Sequence, residues 1–147
     1  MMSSSAAIET TRIFPVLRYR NAHAMIAWLV RAFGFRRHAV HEDGAGGVAH
    51  AQLAFGSGLI MLSSARDDDF ARLATPPSGG RAVQTVYLAV DEIDAHHAIA
   101  VAADAEILMP PTDQDYGSRD YICRDPEGNV WCFGTYWPSA LETTAGG

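Results

Sequence analysis

The chain has 147 residues, 48% of them hydrophobic and 19% charged, with a formal net charge of −6. This is the composition of one ordinary globular domain with enough apolar side chains for a sizeable core. The eleven basic residues are scattered, so the chain lacks the basic face that phosphate neutralisation needs, which argues against a nucleic-acid partner.

Residues 1–11, MMSSSAAIETT, have neither the basic end nor the apolar run of an export signal, and read as a flexible lead. Residues 139–147 read as a similar tail. No stretch approaches the roughly 20 apolar residues of a membrane span. With two cysteines and no export signal, the expected compartment is the reducing cytoplasm, with free thiols.

A first strand is expected near 12–19. Asn21 is a good N-cap, and Met25, Ile26, Leu29, Val30 and Phe33 after it repeat at helical spacing. Gly34 then stops the helix. Strands follow near 35–42, 47–55 and 58–63, the last two joined at Gly56-Ser57. Arg36-Arg37-His38 reads as a solvated strand edge. Residues 65–82 are polar and contain Pro76-Pro77 and Gly79-Gly80, so they read as a connecting loop. Asp67-Asp68-Asp69 within it reads as a solvated loop or helix start, because three adjacent carboxylates do not converge on one cation.

The second half repeats the pattern. A strand is expected near 83–90, then Asp91 as N-cap of the alanine-rich helix EIDAHHAIAVAADA. Asp104 stands where a glycine stop is expected. Strands near 106–109, 117–123 and 129–136 complete it, the last two joined by the turn Asp125-Pro126-Glu127-Gly128. FPVLRY aligns with TVYLAV, and GVAHAQLAFGSGLIMLS with SRDYICRDPEGNVWCFG, at the same shift of 71 residues without a gap. Two copies of strand, helix and three strands follow, in modules 12–64 and 83–138.

Strand alternation separates two faces. Ile60, Leu62, Leu88, Val90, Trp131 and Phe133 form a large apolar set expected to pack under the helices. Phe14, Val16, Arg18, Met61, Ser63, Thr85, Tyr87 and Cys132 point the other way. A two-residue turn at Gly56-Ser57 adds His50 and Gln52 to that face. Four turn residues at 125–128 add Tyr121 and Arg119 beside Cys132, unless a bulge shifts the register by one. An uncovered sheet face, apolar with a few polar groups, suits a ligand site. A second core or a partner-binding interface is the alternative. Arg18, if buried there, is a ligand anchor or half of an internal ion pair. Cys123 and Cys132 are placed diagonally on one face.

FPVLRYRNAHAMIAWLVRAFGF, GSGLIMLSS, VYLAVDEIDAHHA and YGSRDYICRDPEGNVWCFGTY together resemble the vicinal oxygen chelate superfamily of glyoxalases, bleomycin-resistance proteins and ring-cleaving dioxygenases. They look most similar to its PhnB-like or bleomycin-resistance-like bacterial branch. The resemblance covers most of 12–138 and implies an α+β fold: two tandem βαβββ modules whose sheets curl around one cavity, helices on the outer face. It also implies a homodimer. Metal-using relatives place a ligand on the first and fourth strand of each module. Carried over, those places are Phe14, Met61, Thr85 and Cys132, a set that makes neither a tetrahedral zinc site nor an open octahedral one.

The expected function is therefore metal-free, cofactor-free binding of a partly aromatic small molecule, clasped by Phe14, Met61, Thr85, Tyr87, Tyr121 and Cys132, with Arg18, His50, Gln52 and Arg119 as polar handles. The alternative is a lyase, isomerase or dioxygenase with a metal relocated to His50.

Overall fold

The computed structural model describes residues 11–140. The expectations for residues 1–10 and 141–147 lie outside them. In chain order the elements are β1 (Val16–Tyr19), α1 (Ala22–Phe33), β2 (Arg36–Glu42), β3 (Val48–Phe55), β4 (Gly58–Ser64), a 3-10 turn (Asp69–Arg72), β5 (Thr85–Ala89), α2 (Ile93–Ala102), β6 (Glu106–Asp113), β7 (Arg119–Arg124) and β8 (Val130–Gly134). The order strand, helix, three strands occurs twice.

α1 is bounded as its sequence requires. Asn21 Oδ1 accepts from the Ala24 N–H at 3.2 Å, and Gly34 takes φ = +90°. That left-handed turn lets Gly34 N–H reach Val30 O at 3.2 Å and Phe35 N–H reach Leu29 O at 3.4 Å. α2 is less well bounded. Glu92, not Asp91, occupies its N-cap position, and no side chain caps it. Asp104 adopts φ = +67°, the left-handed geometry expected of a glycine, and Ala105 N–H bonds Ala100 O at 3.0 Å. Asp tolerates that region better than most residues.

Each module makes a four-stranded sheet, in the orders β1-β4-β3-β2 and β5-β8-β7-β6. β1 runs parallel to β4 and β5 parallel to β8, and the other pairs are antiparallel. The sheets do not close into one. The basic cluster Arg36-Arg37-His38 lies exposed on the edge strand β2, as expected. β6 extends to Asp113 rather than ending near 109, and its register breaks where Pro110-Pro111 withhold N–H donors. Such prolines are tolerated because β6 is an edge strand.

One apolar core joins the modules. Trp131, Phe133, Leu62, Leu53, Ile26 and Phe33 are all buried in it. The Phe33 ring, at the end of α1, lies 4.7 Å from Phe133 and 5.4 Å from Trp131 across the module boundary. Each such fully buried side chain contributes about 1.5–3 kcal/mol of apolar transfer energy. Polar contacts fix the docking. Trp28 Nε1 donates to Ala103 O at 2.7 Å. Buried Asp125 accepts from Tyr19 Oη at 2.7 Å and Trp131 Nε1 at 3.0 Å. Glu127 accepts the N–H groups of Arg20 (2.6 Å) and Asn21 (2.8 Å), so the second module's hairpin turn covers the start of α1. No helix among the described residues is long and apolar enough to cross a membrane.

Candidate functional site

The helix-free face of the first sheet follows the expected register. Gln52 and Val16 both flank Met61, and Arg18 flanks Ser63. The two-residue turn after Phe55 sets this alignment, which carries His50 onto the same face. His50 Nε2 lies 3.1 Å from Gln52 Nε2, and its ring stacks on His41 with centroids 6.4 Å apart. Arg18 is 5% exposed and pairs with Asp68 at 3.2 Å, also donating to Arg66 O at 3.3 Å. Asp68 further accepts from Ala71 N–H at 2.9 Å, opening the 3-10 turn, and Arg18 and the Ala71 amide hold its carboxyl below the usual range against a desolvation that raises it. Of the two roles open to Arg18, the ion pair is formed. Phe14 precedes β1 and is 38% exposed, and Val16 rather than Phe14 stands beside Met61.

The second sheet departs from expectation by one residue. Asp125 N–H bonds Asn129 O at 2.9 Å, and Asn129 N–H bonds Asp125 Oδ1 at 3.1 Å. The turn therefore absorbs Asn129, and β7 and β8 close at Arg124 and Val130. The neighbour of Cys132 is Ile122, not Tyr121. Tyr121 lies instead on the helix side, fully buried, stacked on Phe133 at 5.1 Å and bonded to His96 Nδ1 at 2.6 Å. Burial, followed by the nearby Cys123, raises its phenol pKa. Arg119, on the same side, pairs with Asp94 at 2.9 Å and Asp113 at 3.2 Å. Both are corrected: neither shares a face with Cys132. Cys123 also faces the core, opposite to Cys132, so the expected diagonal pair does not exist.

What does surround Cys132 is Tyr87 on β5 and, one step along, Asp120 opposite Gly134. Thr85 is exposed beside Val130. Burial, then the Asp120 charge, pushes the Cys132 thiol up to about 11, and burial first pushes Cys123 up to about 12. Both thiols stay protonated at neutral pH, which removes Cys132 as a nucleophile.

Asp120, Ser118, Tyr116 and Tyr136 were not singled out from the sequence. Asp120 is 6% exposed. It accepts from Ser118 Oγ, and from Tyr116 Oη at 2.9 Å. Tyr87 Oη donates to Tyr136 O at 2.6 Å, and Tyr136 N–H to Ser118 Oγ at 3.1 Å. A Cβ at Gly134 would overlap Asp120 Oδ1 and lie 2.6 Å from Tyr87 Oη. The signal was Gly134 itself: a glycine inside a strand marks a close approach.

Two clefts open where the edge strands β1 and β5 come near each other. One of about 350 Å3 is lined by Pro15, Leu59, Val86, Tyr87 and Trp137, among others. A larger one of about 750 Å3 is lined by Val16, Arg18, Val130 and the linker. Of the ten residues expected to bind ligand, these clefts bring in Tyr87 and Arg18.

The strand positions that hold metal in relatives offer no suitable donors. Met61 is a soft thioether and Cys132 a protonated thiol, and the flanking Val16 and Tyr87 add at most a phenol. Among the described residues no three His, Cys, Asp or Glu side chains converge. A resident divalent cation does not fit these donors.

The sequence profile of the Glyoxalase/Bleomycin resistance protein/Dioxygenase superfamily matches residues 12–133, and the chain belongs to that superfamily. Its fold is similar to that of TioX from Micromonospora sp. ML1, with a TM-score of 0.68 and 30% identity over 86% of this chain and all of that one. It also resembles "Uncharacterized protein Rv0887c" of Mycobacterium tuberculosis, 29% identical over 125 residues, covering 82% of this chain and 71% of that protein. The fosfomycin resistance protein FosX from Mesorhizobium loti shares the fold alone, with a TM-score of 0.62 at 12% identity over 88% of this chain and 95% of that one.

Proposed function

We propose that this protein binds a small, partly aromatic molecule on its helix-free sheet faces without a metal, as a single domain over residues 12–138. One observation carries the reading. Where metal-using relatives present hard ligands, this chain presents Met61 and Cys132 flanked by Val16 and Tyr87. Shape, stacking and hydrogen bonding remain as the means of recognition. Met61, Tyr87 and Cys132 supply apolar contact, and Gln52 and His50 supply polar handles. Sequestration of a toxic metabolite or antibiotic in the cytoplasm needs affinity alone. It fits the PhnB-like or bleomycin-resistance-like branch.

A homodimer belongs to the same proposal. Ile13, Val16, Leu73, Val83 and Trp137 are exposed apolar side chains around the β1 and β5 edges. A second copy laid over them would bury this surface and enclose the open faces.

The enzymatic alternative rests on the stacked His41–His50 pair with Gln52. A thermal-shift screen of aromatic metabolites and antibiotics, run in EDTA, separates the two. Binding without metal predicts stabilising compounds in EDTA, lost when Met61→Arg fills the first face. Stabilisation only after Mn, Ni, Fe or Zn is added, and lost in His50→Ala, would establish the enzyme reading instead.

A further inference from the structure

The two helix-free faces treat charge differently. On the first, buried Arg18 is neutralised within the chain by Asp68. On the second, buried Asp120 accepts only hydroxyl hydrogens, and among the described residues no basic side chain pairs with it. An almost fully buried carboxylate without a counter-charge is costly.

The hydrogen bonds around it also have a direction. Tyr116 Oη and Ser118 Oγ donate to Asp120, Tyr87 Oη donates to the Tyr136 carbonyl, and Tyr136 N–H donates to Ser118. The donors on these groups are already in use. The lone pairs of the Asp120 carboxylate and of the Tyr87 and Tyr116 phenols remain. Gly134 contributes by having no Cβ, which lets Asp120 and Tyr87 meet above β8. Tyr116 is 64% exposed, so its ring forms an outer wall rather than a seal.

Resting on the binding reading above, we propose that the second face selects an organic cation: an ammonium or amidinium group seated against Asp120, with the Tyr87 and Tyr116 rings supplying π faces. A cationic head would provide the missing counter-charge, and a phenol face attracts such a head. The chain's net charge of −6 would draw it in. An anionic or acceptor-only ligand would meet repulsion and no free donor.

The probes are benzyltrimethylammonium, benzyl alcohol and phenylacetate, titrated calorimetrically into the full chain in EDTA at low salt. The expected result is binding of the cation above both others, weakening as salt rises. Asp120→Asn, which removes the charge but keeps an acceptor for one of the two hydroxyls that Ser118 and Tyr116 present, should weaken it about ten-fold or more. Tyr116→Leu, at an exposed ring, should weaken it several-fold and guards against misfolding of the first variant. Asp113→Asn, at an exposed carboxylate, should bind as the parent does. Equal binding by Asp120→Asn, or a preference for the alcohol or the acid, would overturn the cation proposal alone. If Asp120→Asn instead breaks a dimer and benzyltrimethylammonium never binds, the missing charge is a second copy's arginine and the proposal fails. No binding by any probe, together with an empty screen in EDTA, would remove the binding reading too.

Discussion

The two modules share one topology, yet they differ in how each helix is bounded and in how the last hairpin of each is closed. In the first, Asn21 and Gly34 bound α1 with side-chain and left-handed backbone caps, and two residues close the β3–β4 turn. In the second, α2 starts at an uncapping Glu92 and is followed by Asp104 at φ = +67°, and five residues close the β7–β8 turn. The longer turn gains something the shorter one lacks. Asp125 within it gathers Tyr19, Trp131 and two backbone amides, and Glu127 reaches the start of α1. The first module is held together by its own local signals, and the second by what it grips in the first.

Removing the grip should therefore cost most. Asp125→Ala leaves buried Tyr19 and Trp131 donors without an acceptor and should lower unfolding free energy by about 3–4 kcal/mol in urea titration. A loss below about 1 kcal/mol would mean that the hairpin does not lock the modules.

The thiols offer the next largest effect. With Cys132 near 11 and Cys123 near 12, alkylation of native protein at pH 7.5 should run roughly 100-fold slower than that of a free cysteine. Unfolding in urea should abolish the difference. Fast modification of native Cys132 would restore it as a nucleophile.

The caps sharpen the contrast between modules. Asn21→Ala should cost about 1 kcal/mol, whereas Glu92→Ala should stay within about 0.5 kcal/mol because no cap bond is lost. Equal losses would contradict the local-versus-borrowed distinction.

Acid should test the seam between modules. His96 joins Phe33 O at 2.8 Å and Tyr121 Oη at 2.6 Å, so Nε2 carries the hydrogen and Nδ1 accepts. Burial lowers its pKa, partly opposed by the Phe33 carbonyl. The folded state thus binds its proton less readily than the unfolded chain. His96 stability is complete above the unfolded value of about 6.5 and is lost as pH falls through the folded one. Thermal unfolding of the parent should fall more between pH 7.5 and 5.5 than that of His96→Phe. Identical falls would show that His96 does not couple the modules to pH.

Much of the fold was legible. Strand alternation placed Trp131, Phe133, Ile60 and Leu62 in the core, and Asn21 and Gly34 marked the α1 boundaries because capping is a local property. The ungapped repeat was legible for β1 with β5 and β4 with β8, where Met61 and Cys132 both face away from the helices. It failed for β3 with β7. Whether Asn129 belongs to a turn or a strand depends on Asp125 being buried and accepting its N–H, which no pattern in the residues states. That one residue moved Tyr121 and Arg119 to the other face and brought Asp120 in. Phe14 was misplaced for a similar reason: its apolar character continued the strand pattern past the point where β1 pairs with β4.

The central claim is that the helix-free faces recognise by shape and hydrogen bonding because they lack the donors for a divalent cation. Elemental analysis of the full chain, purified without chelator and dialysed against metal-free buffer, tests it most directly. The account predicts well under one tenth of an equivalent of Mn, Fe, Ni or Zn per chain. One equivalent that survives dialysis and disappears in His50→Ala would contradict it.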